Sequence, residues 1–177
     1  MAQVSFWLVP AEPYRTDFQG LIQGLADAHQ ATTFLPHVTL YSGPMPEGVN
    51  LEQVLEDAVQ GIPGFTLEVV DVRQSSVFAK TVFVQLRPSD WLRRLAGQIR
   101  QALPDAAGYD LNPHLSLLYQ TLDPELRQGI ADQMALPHTQ IEFDAVQAVA
   151  APDSFQTQAD VQQLRCLYCH SLGSDSQ

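Results

Sequence analysis

Lysine is almost missing from this chain: Lys80 is the only one in 177 residues, and basic residues total 9 against 20 acidic ones, for a net charge of −11. A protein that wraps a nucleic-acid backbone needs a cationic stripe to displace counterions, and nothing here can build one. Extended nucleic acid is therefore not an expected partner. Any anion bound is small, and is held locally by hydrogen-bond donors and a few arginines rather than by a broad field. Most of the acidity serves solubility. Long apolar runs are also lacking. None approaches the roughly 20 residues that span a bilayer, so no membrane partner is expected. The first three residues carry no basic side chain, and the apolar stretch over residues 4–9 stops at Pro10. That reads as a strand and not a secretory signal, and a cytoplasmic location follows.

Cysteine is nearly absent too. Cys166 and Cys169 form Cys-Leu-Tyr-Cys-His with His170, the spacing used for c-type haem attachment. Attachment requires export, which the N-terminus does not promise. On a strand, residues three apart face opposite ways and lie roughly 10 Å from each other, beyond disulfide reach. With no second Cys or His pair nearby, zinc is not expected either. The expectation is a chain without metal or cofactor.

What is present fits one domain over residues 1–177. The hydrophobic fraction of 45% rules out a disordered chain. Residues 4–9, 36–41, 65–72, 81–86, 113–120, 141–150 and 161–172 read as strands, by alternation or β-rich content between turn-formers. Residues 14–29, 51–59, 89–99 and 123–134 read as helices. Ser89-Asp90 caps the third, with Trp91, Leu92, Leu95 and Ile99 on one face, and Asp123-Pro124 starts the fourth.

The order is β-α-β-α-β twice, with one extra strand at the end. Pro36-His37-Val38-Thr39-Leu40 recurs as Pro113-His114-Leu115-Ser116-Leu117, and the two histidines are 77 positions apart. Phe6 and Phe83 share that shift. A repeat at a fixed offset governs the whole fold reading. The expectation is an α+β fold of two pseudo-symmetric lobes of antiparallel sheet with outer helices, facing each other across a central cleft. The halves cover about residues 1–76 and 77–153.

Side chains two apart on a strand point the same way, so each motif presents an imidazole and a hydroxyl on one face. Across a cleft, two imidazoles and two hydroxyls suit phosphodiester hydrolysis without a metal. One histidine takes a proton from water and the other gives one to the leaving ribose oxygen. The hydroxyls of Thr39 and Ser116 hold the non-bridging oxygens. A lone His-x-Thr is usually accidental; two copies in equivalent places are not. Tyr41, two residues after Thr39, is expected to flank the cleft or pack its floor, and Phe78 to stack on a base or ribose if it is not core. Lys80 reads equally as a phosphate ligand or an exposed strand lysine. His29, His138 and His170 read as surface or structural.

These motifs, with Ser116-Leu117-Leu118-Tyr119, resemble the 2H phosphoesterase superfamily, in particular its cyclic phosphodiesterase branch from plants and yeast. The likeness runs in order through Ser5-Phe6-Trp7-Leu8-Val9-Pro10, Phe34 to Thr39, Phe78 to Phe83 and Pro113 to Tyr119. It implies metal-independent opening of ribose cyclic phosphates: nucleoside 2′,3′-cyclic phosphate to the 2′-phosphate, or ADP-ribose 1″,2″-cyclic phosphate to the 1″-phosphate. It also implies His37 and His114 as catalytic, Thr39 and Ser116 as phosphate ligands, and Tyr119 beside the substrate. The substrate would be a small cyclic-phosphate nucleotide and the protein a monomer. The plant branch carries disulfides that this chain does not reproduce. His114 is taken as the base and His37 as the acid, although near-symmetric motifs leave the reverse assignment open. Two rival readings are a 2′-5′ RNA ligase-like enzyme acting on RNA ends and a nucleotide-binding module without catalysis. The missing basic groove argues against the first, and retention of all four motif residues against the second.

Overall fold

The computed structural model describes residues 2–104, 106 and 108–173. Its elements are β1 (Gln3–Pro10), α1 (Tyr14–His29), β2 (Val38–Pro44), α2 (Leu51–Ala58), β3 (Phe65–Gln74), β4 (Val82–Leu86), α3 (Asp90–Ala102), β5 (His114–Leu118), α4 (Pro124–Gln133), β6 (Gln140–Ala151), α5 (Gln158–Gln162) and β7 (Arg165–Ser171). A single 3-10 turn, Phe78–Lys80, precedes β4. The helices begin where local chemistry says they should. The Asn50 and Ser89 side chains accept from the backbone N–H groups of Gln53 and Leu92, and Pro124 opens α4 where a missing N–H costs nothing.

Strands pair antiparallel throughout, in the order β1-β2-β5-β4-β3-β6-β7, and β6 also pairs with β1. The sheet thus curls back on itself, with β7 added along β6. One lobe is β2-β1-β6 with β7, the other β5-β4-β3. Neither half of the sequence builds a lobe alone, because each lobe takes its third strand from the other half. The lobes meet where Phe65–Glu68 of β3 runs beside β6, and through the single pair Val38↔Leu115 between β2 and β5. That single pair is where the strands diverge to leave a cleft.

The core lies between the sheet and helices α1, α2 and α3. Phe18 and Ile22 of α1, Leu55 of α2, and Leu92, Leu95 and Ile99 of α3 are fully buried against Phe6, Leu8, Leu40, Val84 and Leu117. Each such side chain contributes about 1.5–3 kcal/mol on leaving water. Trp91 departs from the expected face of α3 and is exposed, since it sits about 100° round the helix from Leu92.

Two boundaries and one placement change the sequence expectation most. β2 runs on to Pro44 through the expected turn. Past Val38 it pairs only with β1, and a proline is tolerated on the open edge. The last strand begins at Arg165 and not Val161, because residues 158–162 form α5 with a capping box between Thr157 and Asp160. That Thr-x-x-Asp spacing was the available signal. Lys80 lies in the 3-10 turn, not on a strand.

The repeat also has a different register. Trp7 pairs with Thr39 and Leu8 with Val38; Phe83 pairs with Ser116 and Val84 with Leu115. Each pair of strands carries a shift at the same place, between Phe6 and Trp7 and between Val82 and Phe83. Phe83 is therefore equivalent to Trp7, not Phe6, and the first strands are related by 76 positions while the histidine motifs are related by 77.

Candidate active site

A cleft of about 490 Å³ opens between the lobes, lined by His37, Thr39, His114, Ser116 and Tyr119 among others. Its size suits a nucleotide-scale ligand. Both motif residues of each half reach it, as alternation on a strand requires.

Each histidine is oriented by its own chain. His37 Nδ1 lies 2.6 Å from the Leu35 carbonyl, and His114 Nδ1 lies 2.8 Å from the Asn112 carbonyl. A carbonyl only accepts, so both Nδ1 atoms carry the proton and donate it, leaving each Nε2 as the basic nitrogen. Leu35 and Asn112 both precede proline, which holds their backbone extended and aims those carbonyls. The Pro-His of each motif is thus a positioning device, not an accident of composition.

The two imidazoles sit in different surroundings. His37 is 6% exposed and stacks on Trp7, with centroids 3.6 Å apart and planes 7° from parallel. The Trp7 indole N–H donates to Ser5 Oγ at 2.9 Å, which fixes the ring that fixes His37. Burial pushes the His37 pKa down to about 3, against the hydrogen bond to Leu35 and with a further push from His114. His114 is only partly buried and meets Phe83 edge-on at 5.4 Å. Its pKa is also lowered, by burial first and by the charge of Lys80, against the hydrogen bond to Asn112. Tyr119 stacks on Phe34 at 3.6 Å, and its hydroxyl faces His37 Nε2 at 3.5 Å, the long limit of a hydrogen bond. Burial raises the Tyr119 pKa, so its hydroxyl stays protonated and donates.

A sequence profile of the 2′-5′ RNA ligase superfamily matches residues 10–150 of this chain. The chain belongs to that superfamily. Its members are the 2H phosphoesterases, and the two histidine motifs facing one cleft are their signature. A cyclic phosphodiesterase of Arabidopsis thaliana is 24% identical over 129 residues, 73% of this chain and 71% of the relative. Among solved structures, a phosphoesterase superposes with a TM-score of 0.61 at 18% identity, covering 97% of this chain and 99% of the other. E. coli LigT complexed with 3′-AMP superposes with a TM-score of 0.56 at 17% identity, covering 97% and 98%. These likenesses carry the fold: α+β, antiparallel sheet and outer helices, as the motifs led us to expect.

Within this 2H frame the aromatic residues are arranged differently from the sequence reading. Tyr41, expected to flank the cleft or pack its floor, and Phe78, expected to stack on a base or ribose unless core, are both core residues at 3% and 8% exposure, outside the cleft lining. Cross-strand partners share a face. The register shift pairs Tyr41 with Phe6, a core residue, while Thr39 pairs with Trp7 on the cleft side. Each of the two is instead backed onto an aromatic that does line the cleft: Tyr41 packs on Tyr109 at 6.0 Å, and Phe78 on Phe155 at 5.9 Å. Sequence reasoning missed Trp7, Tyr109 and Phe155. Only Trp7 left a signal, since Gln3, Ser5 and Trp7 alternate with buried Val4, Phe6 and Leu8.

The two hydroxyls of this 2H site also differ. Among the described residues Thr39 has no hydrogen-bond partner for its side chain, whereas Ser116 Oγ donates to the Ala79 carbonyl at 2.8 Å. Of the remaining histidines, His138 Nε2 lies 2.7 Å from Asp17 Oδ2 and packs on Tyr14, outside the cleft lining. Cys166 and Cys169 are free and exposed. No group of three or more His, Cys, Asp or Glu side chains comes together among the described residues, and no described helix is long and apolar enough to cross a membrane.

Proposed function

We propose that this 2H phosphoesterase hydrolyses ribose cyclic phosphates without a metal, opening nucleoside 2′,3′-cyclic phosphates to 2′-phosphates, ADP-ribose 1″,2″-cyclic phosphate to the 1″-phosphate, or both. One observation carries this reading: two imidazoles, each tied through Nδ1 to a backbone carbonyl, leave two basic Nε2 atoms for one cleft of nucleotide size. Water attacks phosphorus as one Nε2 takes its proton. The bond to the ribose 3′ oxygen breaks as the other imidazolium protonates that oxygen, and the 2′-phosphate leaves. Solvent exchange then returns one proton to the second ring and removes one from the first.

Burial supports the reverse of the role assignment made from the sequence. His37, stacked and buried, is the neutral imidazole at pH 7 and serves as base. His114, more exposed, holds a proton more readily and serves as acid. Thr39, whose hydroxyl is uncommitted, is ready to donate to a non-bridging oxygen, and Tyr119 sits at His37 Nε2 where the attacking water would bind.

Purified protein incubated in EDTA with the four 2′,3′-cyclic nucleotides and ADP-ribose cyclic phosphate tests the reading. Turnover in EDTA, with 2′-monoester product by phosphorus NMR, is the expected result. A 3′-monoester, or activity confined to RNA ends, would contradict it.

A further inference from the structure

Lys80 is the chain's one lysine, and no arginine joins it in lining the cleft among the described residues. A chain with 20 acidic residues offers many partners for an ammonium. Yet no carboxylate lies within ion-pair distance of Lys80 among the described residues. Its Nζ sits instead 4.6 Å from the centroid of Phe83, the same ring that packs edge-on against His114. An aromatic face steadies a cation without neutralising it, so the full charge remains for an anion.

The turn that carries Lys80 is fastened to the second motif and the residue after it on one side, and to Ser75, just past β3, on the other. The Ala79 carbonyl accepts from Ser116, the Lys80 carbonyl accepts from Ser75, and the Thr81 hydroxyl contacts the carbonyls of Phe78 and Gln120. Ser116 therefore anchors this turn. The reaction also has a charge to place. A cyclic phosphate carries one negative charge, hydroxide-like attack develops a second, and the imidazole pair shares one positive charge.

We propose that Lys80 is a further catalytic residue, its ammonium binding a non-bridging oxygen of the reacting phosphate from the His114 side. This deepens the phosphoesterase reading and rests on it for the identity of the anion. Lys80 supplies on one side of the cleft what the Thr39 hydroxyl supplies on the other. Its charge also bears on His114, which ties the acid's proton affinity to the anion site.

The test uses the full chain carrying Lys80→Met, Lys80→Gln or Lys80→Arg. It measures kcat and KM on 2′,3′-cyclic AMP across pH, binding of inorganic phosphate by calorimetry, and Tm. Both neutral variants should lose kcat on the order of 10²-fold and bind phosphate at least about tenfold more weakly. Arginine should restore most of each. Without the nearby charge the alkaline limb of the pH profile should move to higher pH, which a purely structural residue would not cause. A neutral variant within twofold of wild type in kcat and in phosphate affinity overturns the proposal. So does a loss of kcat that spares phosphate affinity and is not repaired by arginine. Wild-type protein that turns over no cyclic phosphate, yet loses phosphate binding with Lys80, refutes the proposed activity while leaving the anion site standing.

Discussion

His37 and His114 carry the same motif in different surroundings, the first buried and the second only partly so. Both pKa values fall below the ordinary imidazole range in the free protein. One ring must be neutral and one protonated, so kcat/KM, which reports the free enzyme, should be bell-shaped with its maximum on the acid side of pH 6.5. A maximum above pH 7 would show that other groups control the step. His37→Gln and His114→Gln should each cost about 10²–10⁴ in kcat, and the double variant little more. Stability separates them further. A histidine whose pKa is lowered by folding adds stability that is complete above its unfolded value, about 6.5, and drains away as pH falls toward the folded value. For His37 that window runs from about 6.5 toward about 3. Urea unfolding at pH 7 and pH 5 should show a smaller loss in His37→Gln than in wild type. Equal losses would mean that His37 is not held neutral by its burial. His37→Gln should also lower stability, whereas His114→Gln should leave it nearly unchanged, because the His37 ring fills a stack with Trp7.

Elements place these residues through pairing. The register shift after Phe6 sends Thr39 to the cleft beside Trp7 and Tyr41 into the core beside Phe6. The matching shift after Val82 does the same for Ser116 and Leu118. The hydroxyls are equivalent in sequence but not in bonding. Thr39→Val, which keeps shape and strand preference, should lower kcat on the order of 10²–10³ with unchanged stability, since only an anion contact is lost. Ser116→Ala should lower kcat and also destabilise by about 1 kcal/mol, because the Ala79 carbonyl loses its donor. Melting curves beside kinetics distinguish the two, and a Ser116→Ala protein as stable as wild type would remove the anchoring role.

At the scale of the whole molecule, a net charge of −11 surrounds a cleft with one lysine in it. Local donors can hold one phosphate, but each further phosphate of a long chain must approach an anionic surface. At low ionic strength kcat/KM for a mononucleotide 2′,3′-cyclic phosphate should exceed that for a ten-residue RNA bearing the same end. Added salt should narrow the gap by screening. A stronger preference for the RNA would favour the RNA-end-processing alternative.

Local chemistry was legible in the chain. The Pro-His-x-hydroxyl-Leu copies, the cap of α3, the Asp123-Pro124 start of α4, and the β-α-β-α-β order all depend on residues within a few positions of one another. So does the carbonyl that orients each histidine. What the sequence could not disclose depends on partners far along it. Tyr41 left the substrate side because of Phe6, and Trp7 became the floor of His37 through a register that one extra residue decides. Tyr109 and Phe155 stand in front of the aromatics first proposed, and the third strands cross between lobes. Lys80 was ambiguous as a letter, and the fold puts it in the cleft lining. The repeat pointed to two histidines facing one cleft; only tertiary burial sets them apart, one stacked on Trp7 and the other beside the ring that holds the lysine, because desolvation is set by what the fold packs around a group and not by its neighbours in the chain.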